Sequence, residues 1–168
     1  MTAEEHKAKS VKAVKCFVVT VSDTRNVSTD QSGQLIKDLL VSGGHEVLGY
    51  RIVKDDPTEV ENLLRQVLSR DDLDAILLTG GTGISPRDGT YEVVSRLLDK
   101  QISGFGEIFR FLSYQDIGSS AVMSRAQAGV AAGKVVVSLP GSRGAVDLGM
   151  RRLVLPELGH MVSQVQGI

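Results

Sequence analysis

Two acids and a glycine-rich run are the residues of this chain best suited to chemistry. The run Leu77-Leu78-Thr79-Gly80-Gly81-Thr82-Gly83-Ile84-Ser85-Pro86-Arg87-Asp88 passes from apolar residues into small ones and ends in an acid. Backbone N–H groups with no Cβ in front of them can approach phosphates closely. The spacing fits neither the dinucleotide fingerprint G-x-G-x-x-G nor the Walker pattern G-x-x-x-x-G-K-[ST]. No lysine follows the glycines, so phosphates would rest on backbone amides, on hydroxyls such as Thr82 and Ser142, and on Arg87. On composition alone, a plain strand-to-helix turn explains the glycines equally well.

The acids narrow the chemistry. Asp56 stands before Pro57 and Glu59 as a helix cap, whereas Asp55 and Asp88 have no comparable structural duty. The plainer alternatives are a turn acid for Asp88 and an Asx-type turn at a strand end for Asp23. No histidine stands in these loops, which argues against a Ser-His-Asp hydrolase. Carboxylates that share a cation with phosphate oxygens suit Mg²⁺. Reaction at a phosphoanhydride needs positioning and charge neutralisation more than covalent help. These residues suggest a Mg²⁺-dependent nucleotidyl or phosphoryl transferase.

Positioning such groups calls for an α/β fold with a mainly parallel sheet, because buried-strand runs alternate with helical stripes. Cys16–Val21 reads as a strand covered on both faces, and Val47–Val53, less apolar, as one nearer an edge. Ala75–Thr79 and Val135–Leu139 are further strands. Helices are predicted from Asp30, from Asp56-Pro57-Thr58-Glu59, around Val93–Leu98 and around Phe105–Leu112. Two more follow Ser142, the second restarted by Pro156, and Thr90 is expected to cap the helix after Asp88. The loops Ser22-Asp23, Lys54-Asp55-Asp56, Gly80–Asp88 and Pro140-Gly141-Ser142 all follow strands. In a parallel sheet they meet at one edge, where open α/β folds bind ligands.

The 168 residues suit one domain over 13–168, preceded by a polar tail from Met1 to Lys12 that is expected to be mobile and disordered. A net charge of −1 supplies no basic field for nucleic acid. No apolar stretch is long enough for a membrane span. Cys16, the single cysteine, lies in an apolar run and reads as a buried hydrophobe. Together with the absence of a secretory signal, this predicts a cytoplasmic protein. Phe111 falls off the stripe of Phe105 and Phe109, so it is either an interface aromatic or part of a helix buried on several sides.

Taken in order, the loops resemble the MoaB/MogA family of molybdenum cofactor biosynthesis proteins. The similarity runs through Thr20-Val21-Ser22-Asp23-Thr24-Arg25, Val53-Lys54-Asp55-Asp56, Thr79-Gly80-Gly81-Thr82-Gly83 and Pro86-Arg87-Asp88. It continues in Gly104-Phe105-Gly106-Glu107, Ser124-Arg125-Ala126 and Leu139-Pro140-Gly141-Ser142. The resemblance, nearest to the MoaB branch, implies a three-layer α/β/α domain that assembles as a homotrimer or homohexamer. It implies a nucleotidyltransferase that joins ATP and molybdopterin into AMP–molybdopterin with release of pyrophosphate. The family's two essential acids fall on Asp55 and Asp88, which would jointly hold Mg²⁺. Gly80, Gly81, Thr82 and Gly83 would line the nucleotide side, and Ser22, Asp23, Ser113, Pro140, Gly141 and Ser142 the rest. Where the family usually has an apolar residue followed by Thr-Pro-Glu, this chain has Gly89-Thr90-Tyr91-Glu92. That departure keeps a second reading in view, a non-catalytic molybdopterin-binding paralogue or scaffold subunit.

Overall fold

Alternation along the strands decides the architecture. In the computed structural model, which describes residues 2–168, strand β1 (Lys15–Val21) sends Cys16 and Val18 to one face and Phe17, Val19 and Val21 to the other. Strand β3 (Ala75–Thr79) divides likewise between Ala75/Leu77 and Ile76/Leu78, and β6 (Lys134–Leu139) between Val135/Val137/Leu139 and Val136. A sheet buried on both faces needs a helical layer on each. Helices α2 (Gln31–Ser42), α5 (Ser103–Ile117), α6 (Arg143–Gly149) and α7 (Leu155–Gln166) cover the first face. Helices α3 (Pro57–Leu68) and α4 (Thr90–Leu97) cover the second. This is the expected three-layer α/β/α domain.

The six strands run in the order β2-β1-β3-β6-β5-β4, with β2 (Glu46–Val53) at one edge, as its weaker apolar pattern predicts. Strands β2, β1, β3 and β6 are parallel, and β5 (Gln127–Ala131) and the short β4 (Lys100–Gln101) are antiparallel additions. The carboxyl ends of the four parallel strands therefore share one edge. Strand β5 turns into β6 through Ala132 and Gly133, both at positive φ (48° and 71°), a two-residue turn whose twist suits a hairpin.

Caps fix where the helices begin. The Asp56 carboxylate accepts from the Thr58 and Glu59 amides at 2.9 and 3.1 Å, with Pro57 in the first turn. Replacing Asp56 with Ala is expected to lower unfolding free energy by about 1 kcal/mol in a urea titration. Asp30 caps α2 through the Gly33 amide and also accepts from the Thr20 hydroxyl (2.6 Å) and the Tyr50 phenol. It ties β1 and β2 to the start of α2.

Two expectations along the chain change. The polar head forms a short helix, α1 (Ala3–Ala8), followed by a segment seated on α7, where the Val11 amide donates to the Ser163 hydroxyl at 2.9 Å and Lys7 pairs with Glu157. Pro156 does not restart a helix. Instead α6 runs through a π-helical stretch, Met150–Val154, directly into α7. The widened turn leads the chain past a residue that has no N–H to place in the ladder. Cys16 is buried as expected; burial, reinforced by the Asp74 charge, pushes its thiol up to about 12, which leaves it unreactive. Among the described residues, no helix is long and apolar enough to cross a membrane.

Candidate functional site

Each parallel strand contributes a loop to the same edge, and the side chains there hold the loops to one another. After β1, the Ser22 hydroxyl accepts from the Thr24 and Arg25 amides and rounds off the strand. Asp23 is more than the local turn acid its sequence suggests. Its carboxylate accepts from the Asp55 amide at 3.1 Å and from the Arg87 guanidinium at 2.7 Å, joining three loops. Gly80 follows β3 at φ +100°, where a Cβ would stand 2.2 Å from the Val21 carbonyl oxygen. Only glycine allows the two strand ends to approach this closely. On the next strand, the Pro140 carbonyl accepts from the Thr79 hydroxyl (2.9 Å) and the Gly141 carbonyl from the Ser32 hydroxyl (2.8 Å). Ser142 caps α6 through the Ala145 amide.

These loops enclose a cleft of about 540 Å³. Asp55, Asp88 and all ten of the other anticipated positions border it. The two acids come from loops 33 residues apart in sequence and border the same glycine turn, Asp55 beside Gly81 and Asp88 beside Gly83. A Cβ on Gly83 would meet the Asp88 carboxylate at 2.6 Å, and one on Gly81 would meet Asp55 Oδ1 at 3.1 Å. Asp88 also accepts from the Ser85 amide at 3.0 Å, so it closes its own turn while it lines the cleft. Thr90 is not the cap foreseen for α4. Gly89 takes that place without a side-chain bond, and Thr90 is buried in the first turn with its hydroxyl directed at Gly81. Gly89 is needed for packing, because a Cβ there would fall 2.6 Å from Pro57 Cγ.

The electrostatics single out Asp55. Burial, and next the Asp88 charge, push its carboxyl above the ordinary aspartate range, while the Gly89 amide pulls the other way. Its Oδ1 is buried with no hydrogen-bond partner, and so is Thr90 Oγ1. An orphaned carboxylate oxygen beside a second carboxylate is what a cation would satisfy. Among the described residues no group of three or more His, Cys, Asp or Glu side chains is placed to bind a metal. A cation here would rest on two carboxylates plus oxygens brought by a ligand, the coordination Mg²⁺ adopts in phosphate chemistry.

The chain itself matches a known family. The family described as a probable molybdopterin binding domain matches residues 17–160. The chain belongs to the MoaB/MogA family. It is 52% identical over 166 residues to molybdenum cofactor biosynthesis protein B of Halalkalibacterium halodurans, covering 98% of each chain. The Bacillus subtilis protein of the same name is 47% identical over 167 residues, covering 99% of this chain and 98% of its own. The crystal structure of the tungsten cofactor synthesizing protein MoaB from Pyrococcus furiosus superposes with a TM-score of 0.83 at 39% identity, covering 94% of this chain and 99% of that one.

In this MoaB/MogA chain the cleft has two characters. Its lining combines the three aspartates and the bare glycine amides with the apolar side chains of Phe109, Ile117, Ala121, Met123 and Ala145. The apolar part of that lining was not foreseen. Its signal in the sequence is Gly118, whose φ of +73° stops α5 and starts the 3₁₀ turn Gly118–Met123 that delivers Ala121 and Met123. Phe111 points outward from α5 with Tyr114, each more than half exposed. That excludes the alternative of a helix buried on several sides.

Proposed function

We propose that this protein serves molybdenum cofactor biosynthesis by adenylylating molybdopterin with ATP. Its kinship with molybdenum cofactor biosynthesis protein B supports the pathway, and the cleft supports the chemistry. In the reaction, an oxygen of the pterin's terminal phosphate attacks the α-phosphorus of ATP. The bond from that phosphorus to the bridging oxygen breaks, pyrophosphate leaves with the electron pair, and AMP–molybdopterin forms. Asp55 and Asp88 would hold Mg²⁺, which neutralises phosphate charge when bound. The amides of Gly80–Gly83 would receive phosphate oxygens, and Asp23 would keep the Asp55 and Arg87 loops in register. The observation that carries this reading is the meeting of two carboxylates from separate loops at a glycine turn, one of them with an orphaned oxygen.

The test is to mix the protein with molybdopterin, ATP and Mg²⁺ and follow pyrophosphate. Release is expected, and chelation of the metal with EDTA is expected to reduce it to background. Tight pterin binding with no pyrophosphate would establish the scaffold reading instead. The exposed pair Phe111 and Tyr114 supports assembly with further copies of the chain, as a trimer or hexamer, which sedimentation would show.

A further inference from the structure

Arg125 lies just ahead of β5, outside the ring of anticipated site residues, yet its guanidinium has more partners than any other cation near the cleft. Its Nε donates to the Thr82 carbonyl at 3.1 Å, and its Nη2 to the carbonyls of Gly83 and, at 3.4 Å, Asp88. Its Nη1 pairs with the Glu92 carboxylate, and the Tyr91 ring lies 4.9 Å beneath the guanidinium carbon. The side chain is only 25% exposed. All three carbonyl acceptors belong to the glycine turn and to the acid that follows it, and the carboxylate and ring belong to the first turn of α4.

We infer that Arg125 is a positioning residue that sets the glycine turn and Asp88 for phosphate binding, without touching the substrate itself. Within a planar trans peptide the C=O and the next N–H point in opposite directions. Drawing the Thr82 and Gly83 carbonyls onto Arg125 therefore turns the amides of Gly83 and Ile84 away from it. With Asp88, the same guanidinium grips both ends of the segment that bears the acid. Glu92 and the Tyr91 ring hold the other side of the guanidinium, and the carbonyl contacts carry the clamp. A planar fork of five donors meets this set of acceptors; a lysine ammonium, a single point of charge, cannot span it.

The inference rests on the proposed adenylylation for its catalytic consequence, and its structural consequence stands apart. Arg125→Ala, Arg125→Lys and Glu92→Gln proteins would be compared with the native protein by thermal unfolding, ¹⁵N relaxation and pyrophosphate release. In Arg125→Ala, backbone order parameters over residues 82–88 are expected to fall from about 0.85 to below about 0.6, with the rest of the sheet unchanged. Turnover is expected to fall about 50-fold with a smaller change in KM for ATP, because loosened geometry costs the reacting state most. Arg125→Lys should recover less than a tenth of that loss. Glu92→Gln, which leaves the carbonyl contacts in place, should stay within threefold of native. Native order at 82–88 in Arg125→Ala, or full rescue by lysine, would overturn the inference. If the native protein releases no pyrophosphate, the adenylylation reading fails while the order parameters still decide the role of Arg125.

Discussion

Asp55→Asn and Asp88→Asn proteins are expected to fold and to form AMP–molybdopterin at least about 10³-fold more slowly than the native chain, about 4 kcal/mol of lost transition-state stabilisation. Asparagine keeps the shape of each side chain and removes the charge a cation requires. For Asp55 the fold itself should not suffer. Burial and the Asp88 charge raise its pKa in the folded state, so the folded chain binds that proton more tightly than the unfolded one. The stability this proton contributes is complete below the ordinary aspartate pKa and disappears as pH rises through the raised value. At neutral pH the ionised Asp55 therefore opposes folding, and Asp55→Asn relieves the strain. In metal-free buffer at pH 7, the Tm of Asp55→Asn is expected at or above that of the native protein, and the difference should shrink toward pH 4. A fall in Tm at pH 7 would show that the charge stabilises the fold and has a structural purpose. Site acids that cost stability until a ligand arrives are what a catalytic assignment requires.

The second large effect is steric. Gly80→Ala places a Cβ 2.2 Å from the Val21 carbonyl oxygen at a φ of +100°, so both the clash and the backbone conformation oppose it. Backbone cannot yield as a side chain would, and β1 and β3 must move apart at the edge where the cleft forms. The expected loss is about 3 kcal/mol of unfolding free energy in a urea titration, with loss of activity beyond the loss of folded protein. Gly144→Ala supplies the contrast. It lies in α6 with nothing within 4 Å of a Cβ, and alanine there is expected to be neutral or mildly stabilising.

What could be read from the residues alone divides along physical lines. Strand β3 was legible to its ends, because five consecutive buried residues between polar segments admit one interpretation. The convergence of the loops after β1, β2, β3 and β6 followed from parallel pairing, which puts every carboxyl end on one edge. Strand β5 was missed. Its sequence, Gln127-Ala128-Gly129-Val130-Ala131, has one β-branched residue, and its turn uses Ala132-Gly133 where Asn-Gly would have announced a hairpin. Gly129 belongs there because a Cβ would meet the Lys100 carbonyl oxygen at 2.3 Å, a contact between distant segments that no local pattern reveals.

Asp55 and Asp88 stood out in the sequence for lacking a local structural purpose, yet Asp88 also closes its own turn through the Ser85 amide. The groups that position them did not stand out. Asp23 reads locally as a turn residue, yet it bonds to partners 32 and 64 residues away. At the level of sequence, Arg125 figures only within the Ser124-Arg125-Ala126 block of the resemblance, with no role, because its acceptors are mostly backbone carbonyls, which leave no trace in side-chain patterns. Thr90 looked like a cap because threonine favours that position. Packing of Gly89 against Pro57 advances the helix start by one residue and buries the threonine hydroxyl beside Gly81.

The most direct measurement follows the α-phosphate. Native protein, molybdopterin, Mg²⁺ and ATP labelled at the α-phosphorus are incubated, and the label is located after separation of pterin from nucleotide. The proposed reaction places the label on molybdopterin, with one pyrophosphate released for each AMP transferred, and Asp55→Asn shows neither. Label that stays in ATP while the pterin remains tightly bound, or transfer that survives in Asp55→Asn, would contradict the assignment of this cleft as an adenylylation site.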